Sequence, residues 1–126
     1  QFHGSETPGY CEQFNRPYIK AIGMKGIEHD AVFLRSSAET FHSARALLLD
    51  GHAPGQAGGS GESFDWAAIS EIDTTVVLAA GLTVENVRQA IGLMHPYAVD
   101  VSSGVERSPG IKDKEKIAAF MEQVNA

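Results

Sequence analysis

Five apolar runs of strand length recur along the chain, at Gln1 to His3, Tyr18 to Ile22, Ala46 to Leu49, Thr74 to Ala79 and Tyr97 to Val101. They are near-continuous in Val, Ile, Leu and Ala. Alternation with polar residues would mark a sheet with one wet face, so this pattern points to parallel strands covered on both sides. The stretches between them read as helices. Thr7-Pro8 is a cap followed by a first-turn proline, with Tyr10, Cys11 and Phe14 expected on one face. Residues 30–43 place Ala31, Leu34, Ala38 and Phe41 at near-helical spacing. Thr83 can cap a helix with Val87, Ala90 and Ile91 inward. Asp113 caps a last helix with an apolar stripe of Ile117, Phe120, Met121 and Val124. Strands alternating with helices imply repeated βα units around a parallel sheet.

The connections are unequal. Those leading from a strand into a helix are rich in Gly, Ser and Asp: His3-Gly4-Ser5, residues 50–61, Ala80-Gly81-Leu82-Thr83 and Ser102-Ser103-Gly104. The return connections, such as Asn15-Arg16-Pro17 and His95-Pro96, are short and plain. This asymmetry puts any chemistry at the C-terminal ends of the strands. There is no repeat beyond the βα period and no composition break, so residues 1–126 read as a single domain. Gly58-Gly59-Ser60-Gly61 reads as a mobile loop that could cover a site.

Composition narrows the partners. A net charge of −6 with no dense Lys/Arg run disfavours nucleic acid and anionic membranes, so an anionic small molecule would have to be held by local groups. Cys11 is the only cysteine, which excludes an internal disulfide and fits a reducing, cytoplasmic setting. No apolar run approaches the roughly 20 residues of a membrane span. The histidines show no metal-ligand spacing, so neither a metal nor another cofactor is expected.

Asp50 ends the run Ala46-Leu47-Leu48-Leu49. A carboxyl held at the end of a rigid buried strand suits a general acid or base, and the alternative is a turn cap. Gly81 follows one strand, and Ser102-Ser103-Gly104 the next. Singly these are tight turns. As a pair on neighbouring strands they offer backbone N–H groups and hydroxyls enough to surround a phosphate without Lys or Arg, with residues 105–108 as a possible short extra helix before Pro109-Gly110. Asp100, inside the last run, is expected to be buried or at the mouth of the site, orienting the phosphate loop or a substrate hydroxyl. His3 could line the site or be purely structural. Cys11 reads as a packed helix residue.

Six motifs then occur in order: Gln-Phe-His-Gly at 1–4, Pro-Tyr-Ile-Lys-Ala-Ile at 17–22, Leu-Leu-Leu-Asp at 47–50, Gly-Gly-Ser-Gly with Phe-Asp-Trp at 58–66, Ala-Gly-Leu-Thr-x-Glu-Asn-Val at 80–87, and Asp-Val-Ser-Ser-Gly-Val-Glu with Pro-Gly-x-Lys-Asp at 100–113. Over essentially the entire chain this series resembles the phosphoribosylanthranilate isomerase family. The resemblance implies an α/β fold, a TIM-type (βα)8 barrel of which this chain carries parallel strands four to eight with their helices. It implies an Amadori rearrangement in tryptophan biosynthesis, with a phosphosugar substrate and Asp50 as the general acid. It implies a phosphate site at Gly81, Asp100, Ser102, Ser103 and Gly104, with Ala80 beside it, while His3 is a further lining candidate by its strand-end position alone. Ala80 departs from the family, which usually has a second glycine there, and its methyl could narrow the approach to phosphate.

The family's general base is a Cys on its first strand, and an Arg recognising anthranilate lies in the same early region. Neither is matched in this chain, and Cys11 does not correspond to that Cys. Starting at Gln1 without Met, the chain reads as truncated, inactive or nearly so alone, and able to pair with the missing portion or with itself. A non-catalytic phosphate-binding or self-associating partial barrel remains the second reading. A different phosphosugar barrel enzyme is the third, for which Lys20 is the one candidate acid-base residue.

Overall fold

A computed structural model describes residues 1–53, 62–69 and 72–126. The Gly58–Gly61 loop lies outside the described residues. Four strands, β1 (Ile19–Gly23), β2 (Ala46–Asp50), β3 (Val76–Ala79) and β4 (Ala98–Val99), form one parallel sheet in the order β1-β2-β3-β4. Each strand lies beside its predecessor with no reversal, the order of a barrel wall; a doubly wound sheet would reverse direction. The register places Ala21, Leu48, Val77 and Ala98 in one row across the sheet, and Gly23, Asp50 and Ala79 in a second.

Both faces are apolar. On one, Ile22, Leu47, Leu49, Leu78 and Ala80 pack with Leu34, Val87, Ala90 and Phe120 of the helices. On the other, Ala21, Ala46, Leu48 and Val77 form a smaller cluster flanked by Ile19, Ala79 and Ala98. Truncating a fully buried leucine such as Leu47, Leu49 or Leu78 to alanine would cost about 2–5 kcal/mol through lost transfer energy and the cavity left behind.

Local capping accounts for the helix starts. Thr7 Oγ1 accepts from the Tyr10 N–H at 3.2 Å ahead of α1 (Pro8–Glu12). Asp30 accepts from the Phe33 N–H at 2.8 Å ahead of α2 (Ala31–Thr40), and Asp113 accepts from the Glu115 and Lys116 N–H groups ahead of α4 (Lys114–Val124). For α3 (Val87–Met94) the cap position is Asn86, three residues later than expected. Thr83 contributes its carbonyl, which accepts from the Asn86 and Val87 N–H groups, and the intervening residues form a turn. Two return connections start on non-glycine residues in the left-handed region, Asn15 (φ 50°) and His95 (φ 46°), so short loops reverse the chain without glycine.

Several expectations are corrected. The run Gln1 to His3 makes only an isolated parallel bridge, Phe2 to Lys20, and Tyr97 to Val101 narrows to the two residues of β4. Residues 105–108 do not form a helix. A 3-10 turn comes earlier, at Ser103–Val105, and Glu106–Ser108 becomes β5, antiparallel to β6 (Ile111–Lys112). Pro109-Gly110 between them, with Gly110 at φ 78°, supplies a hairpin turn, and a hairpin satisfies backbone groups that a four-residue helix would leave open. Cys11 is buried as expected, while Tyr10 and Phe14 stay half exposed in an aromatic cluster with Phe2. On α4, Phe120 is buried, while Ile117 and Met121 face outward.

Candidate functional site

In a strand the side chains alternate, so each position's face follows from one neighbour. Asp50 shares its face with Leu48 and Ala79, away from the helices, and emerges where β2 ends. It is buried, and both oxygens are engaged: Oδ1 accepts from the Gly51 N–H at 2.7 Å and Oδ2 lies 3.1 Å from His52 Nδ1. His52 is buried too, and the missing side chain of Gly23 makes room for it, since a Cβ there would sit 2.6 Å from the imidazole Cδ2. The sequence reading does not single out His52. Its only signal was a position two residues beyond a strand-end carboxylate.

One strand along, Gly81 follows β3 with φ 58°, a conformation costly for any residue carrying a Cβ. Asn86 secures this turn from both sides: its Oδ1 accepts from the Thr83 N–H at 2.8 Å and its Nδ2 donates to the Gly81 carbonyl at 3.0 Å. The loop after β4 is pressed against it. A Cβ on Gly104 would lie 1.8 Å from the Leu82 carbonyl oxygen, so glycine is required there by backbone approach. The two loops are thereby packed into one unit.

A cavity of about 200 Å³ opens at these strand ends, lined by Asp50, Gly81, Asp100, Ser102, Ser103 and Gly104, with His3 at one side and Leu48 and Ala79 below. Residues spread over 100 positions of sequence thus meet at one opening. Asp100 is exposed at its mouth, not buried, because β4 ends one residue before it; its N–H donates to the Leu78 carbonyl at 2.8 Å. Ala80 does not line the cavity. By strand alternation its side chain faces the helices, where it is fully buried in the core, so a methyl at this position is accommodated by packing.

Lys20 is excluded from the site by the same alternation. It lies on the helix-facing side of β1, buried, with its ammonium donating to the Gly4 carbonyl at 2.6 Å and to Glu6 Oε2 at 2.8 Å, 5.3 Å from the Phe41 ring centre. That bond holds the Glu6 carboxyl below the usual carboxylate range. Burial pushes the Cys11 thiol above its ordinary value, the opposite of what a thiolate base needs. Among the described residues no group of three or more His, Cys, Asp or Glu side chains could hold a metal ion, and no helix is long and apolar enough to cross a membrane.

A parallel sheet in sequential order, with small residues around an opening at its C-terminal strand ends, is the arrangement of a TIM-barrel-type protein. The family model described as N-(5'phosphoribosyl)anthranilate (PRA) isomerase matches residues 1–123, and the chain belongs to that family. The N-(5'-phosphoribosyl)anthranilate isomerase of Pseudomonas savastanoi pv. phaseolicola is 53% identical over 126 residues, covering 99% of this chain and 59% of its own length. The crystal structure of phosphoribosyl anthranilate isomerase from Thermotoga maritima superposes with a TM-score of 0.73 at 36% identity, covering 98% of this chain and 59% of that one. A second solved phosphoribosyl anthranilate isomerase, in complex with reduced 1-(o-carboxyphenylamino)-1-deoxyribulose 5-phosphate, matches with a TM-score of 0.69 at 32% identity over 98% of this chain and 57% of its own. The chain therefore spans about three fifths of the length of these relatives.

Proposed function

We propose that these residues form the phosphate-holding and general-acid part of an N-(5'-phosphoribosyl)anthranilate isomerase, a cytoplasmic enzyme of tryptophan biosynthesis, folded as one domain from the later strands of a βα barrel. The observation that carries this reading is the single cavity joining Asp50 to Gly81 and Ser102–Gly104. The relative solved with a deoxyribulose phosphate compound supports the substrate class. In this reading the loops after β3 and β4 hold the phosphate through N–H groups and hydroxyls. Anchoring the phosphate there leaves the ribose to extend across the sheet toward Asp50, which as general acid gives a proton to the ribose ring oxygen. The C1'–O bond breaks, leaving a Schiff base. A base then takes the C2' proton, and the resulting enolamine tautomerises to the 1-deoxyribulose ketone.

Among the described cavity residues the groups able to accept that proton are Asp50, Asp100 and His3. Cys11 is held away in α1 with its thiol pushed up. The polypeptide is expected to bind the product analogue at this cavity. The half-exposed Tyr10 and Phe14, clustered with Phe2 beside β1, support further βα structure, or a second copy, along that edge.

Titrating the reduced deoxyribulose phosphate analogue against amide-resolved NMR spectra tests the reading. Shifts concentrated at residues 81–83 and 102–104 and at Asp50 are expected. Shifts confined elsewhere would overturn it.

A further inference from the structure

The Pro-Gly-x-Lys-Asp run lies outside the cavity, yet its lysine reaches the phosphate loop. Lys112 of β6 stands opposite Glu106 of β5, and its ammonium makes three hydrogen bonds: to the Ser102 carbonyl at 2.9 Å, to Ser102 Oγ at 3.2 Å and to Glu106 Oε1 at 2.7 Å. The hairpin is fastened in turn to the start of α4. The Asp113 N–H donates to the Val105 carbonyl at 2.8 Å, and Lys116 Nζ donates to the Glu106 carbonyl at 2.7 Å. Ser102 lines the cavity and Lys112 does not.

An ammonium has three donors and no acceptor, and here all three donors are used. Ser102 Oγ must therefore accept from Lys112, which leaves the hydroxyl's own proton as its one donor. The Ser102 carbonyl, which would repel an anion, is occupied by the same ammonium. We propose that Lys112 is a positioning residue for the substrate phosphate, acting through Ser102, whose hydroxyl it commits to donating into the cavity; this rests on the phosphosugar reading above. Glu106 offsets the charge of Lys112, and the Lys112 ammonium in turn holds the Glu106 carboxyl below its ordinary range. The effect of Lys112 on phosphate is thus one of hydrogen-bond direction more than of net charge.

The test is a titration of inorganic phosphate into the chain, read at the Ser102, Ser103 and Gly104 amides, with a urea midpoint for each variant as a folding control. Lys112→Met is expected to weaken phosphate about tenfold, the scale of one hydrogen bond to a charged group. Ser102→Ala should weaken it similarly, and adding Lys112→Met to Ser102→Ala should cost less than about twofold more, because the two act as one unit. Glu106→Gln keeps an acceptor for Lys112 and frees its charge, so binding should hold or tighten. If the wild-type amides do not respond to phosphate, the phosphate reading fails and this inference with it. If they respond but Lys112→Met binds as wild type does, or the Lys112 and Ser102 losses simply add, the positioning role is overturned while the phosphate site stands. Glu106→Gln weakening phosphate as much as Lys112→Met would also overturn it, since hairpin integrity alone would then be at work.

Discussion

The two halves of the cavity are built on different principles. On the β3–β4 side the proposed chemistry is carried by backbone: Gly81 lies in a left-handed conformation that is costly for a side chain, and Gly104 approaches the Leu82 carbonyl too closely to admit one. On the β2 side it is carried by one side chain, Asp50, fixed by the Gly51 N–H and by His52. A phosphate needs many donors converging on a fixed point, which packed loops supply. A proton donor needs one group at one place, which a strand end supplies. The backbone half should accordingly be sensitive to any added volume, and the side-chain half to a change of a single atom.

Gly104→Ala is the strongest way to break this contrast. Its methyl would run into the Leu82 carbonyl, so the loops must separate at a cost of about 3 kcal/mol or more, with phosphate binding lost. Urea unfolding together with phosphate titration checks both, and retention of both would show that the loops are not interlocked. Asp50→Asn should act on the other half alone. Turnover should fall by about 100- to 10,000-fold, while steady-state and binding measurements keep analogue affinity within about threefold. A joint loss of affinity would erase the distinction between the halves. Gly81→Ala is milder, about 1–2 kcal/mol from the left-handed backbone, visible as a lowered melting temperature with weakened phosphate binding.

The smallest effect sharpens the comparison by lying outside the cavity. Glu6 has a folded value below its ordinary 4.5, so the Lys20 pair contributes stability above that pH and loses it as pH falls through the folded value. Glu6→Gln should remove about 1 kcal/mol near neutral pH and flatten the acid limb of the stability profile, leaving phosphate affinity unchanged. An unflattened acid limb would mean that other carboxylates carry the acid sensitivity.

Much of this was legible in sequence. Strand-length apolar runs alternating with capped helices imply the parallel sheet, and Asp50, Gly81 and Ser102–Gly104 stood out because strand ends are where small and acidic residues interrupt an apolar pattern. The misjudged residues share one cause. When both faces of a strand are apolar, the sequence does not show which residues point which way, and a shift of one position reverses them all. Lys20 and Ala80 were weighed for the site and belong to the helix-facing side. His52 and Lys112 were missed because their roles lie in contacts made only after folding, with Gly23 and Asp50 in one case and with Ser102, ten residues away, in the other. Sequence by itself determined the alternation of elements and the residues able to sit at strand ends, since propensity, capping and turn chemistry are local. Tertiary structure alone decided the face, the partner and the depth of each side chain, because those depend on register and on backbone segments that meet only when the sheet has formed.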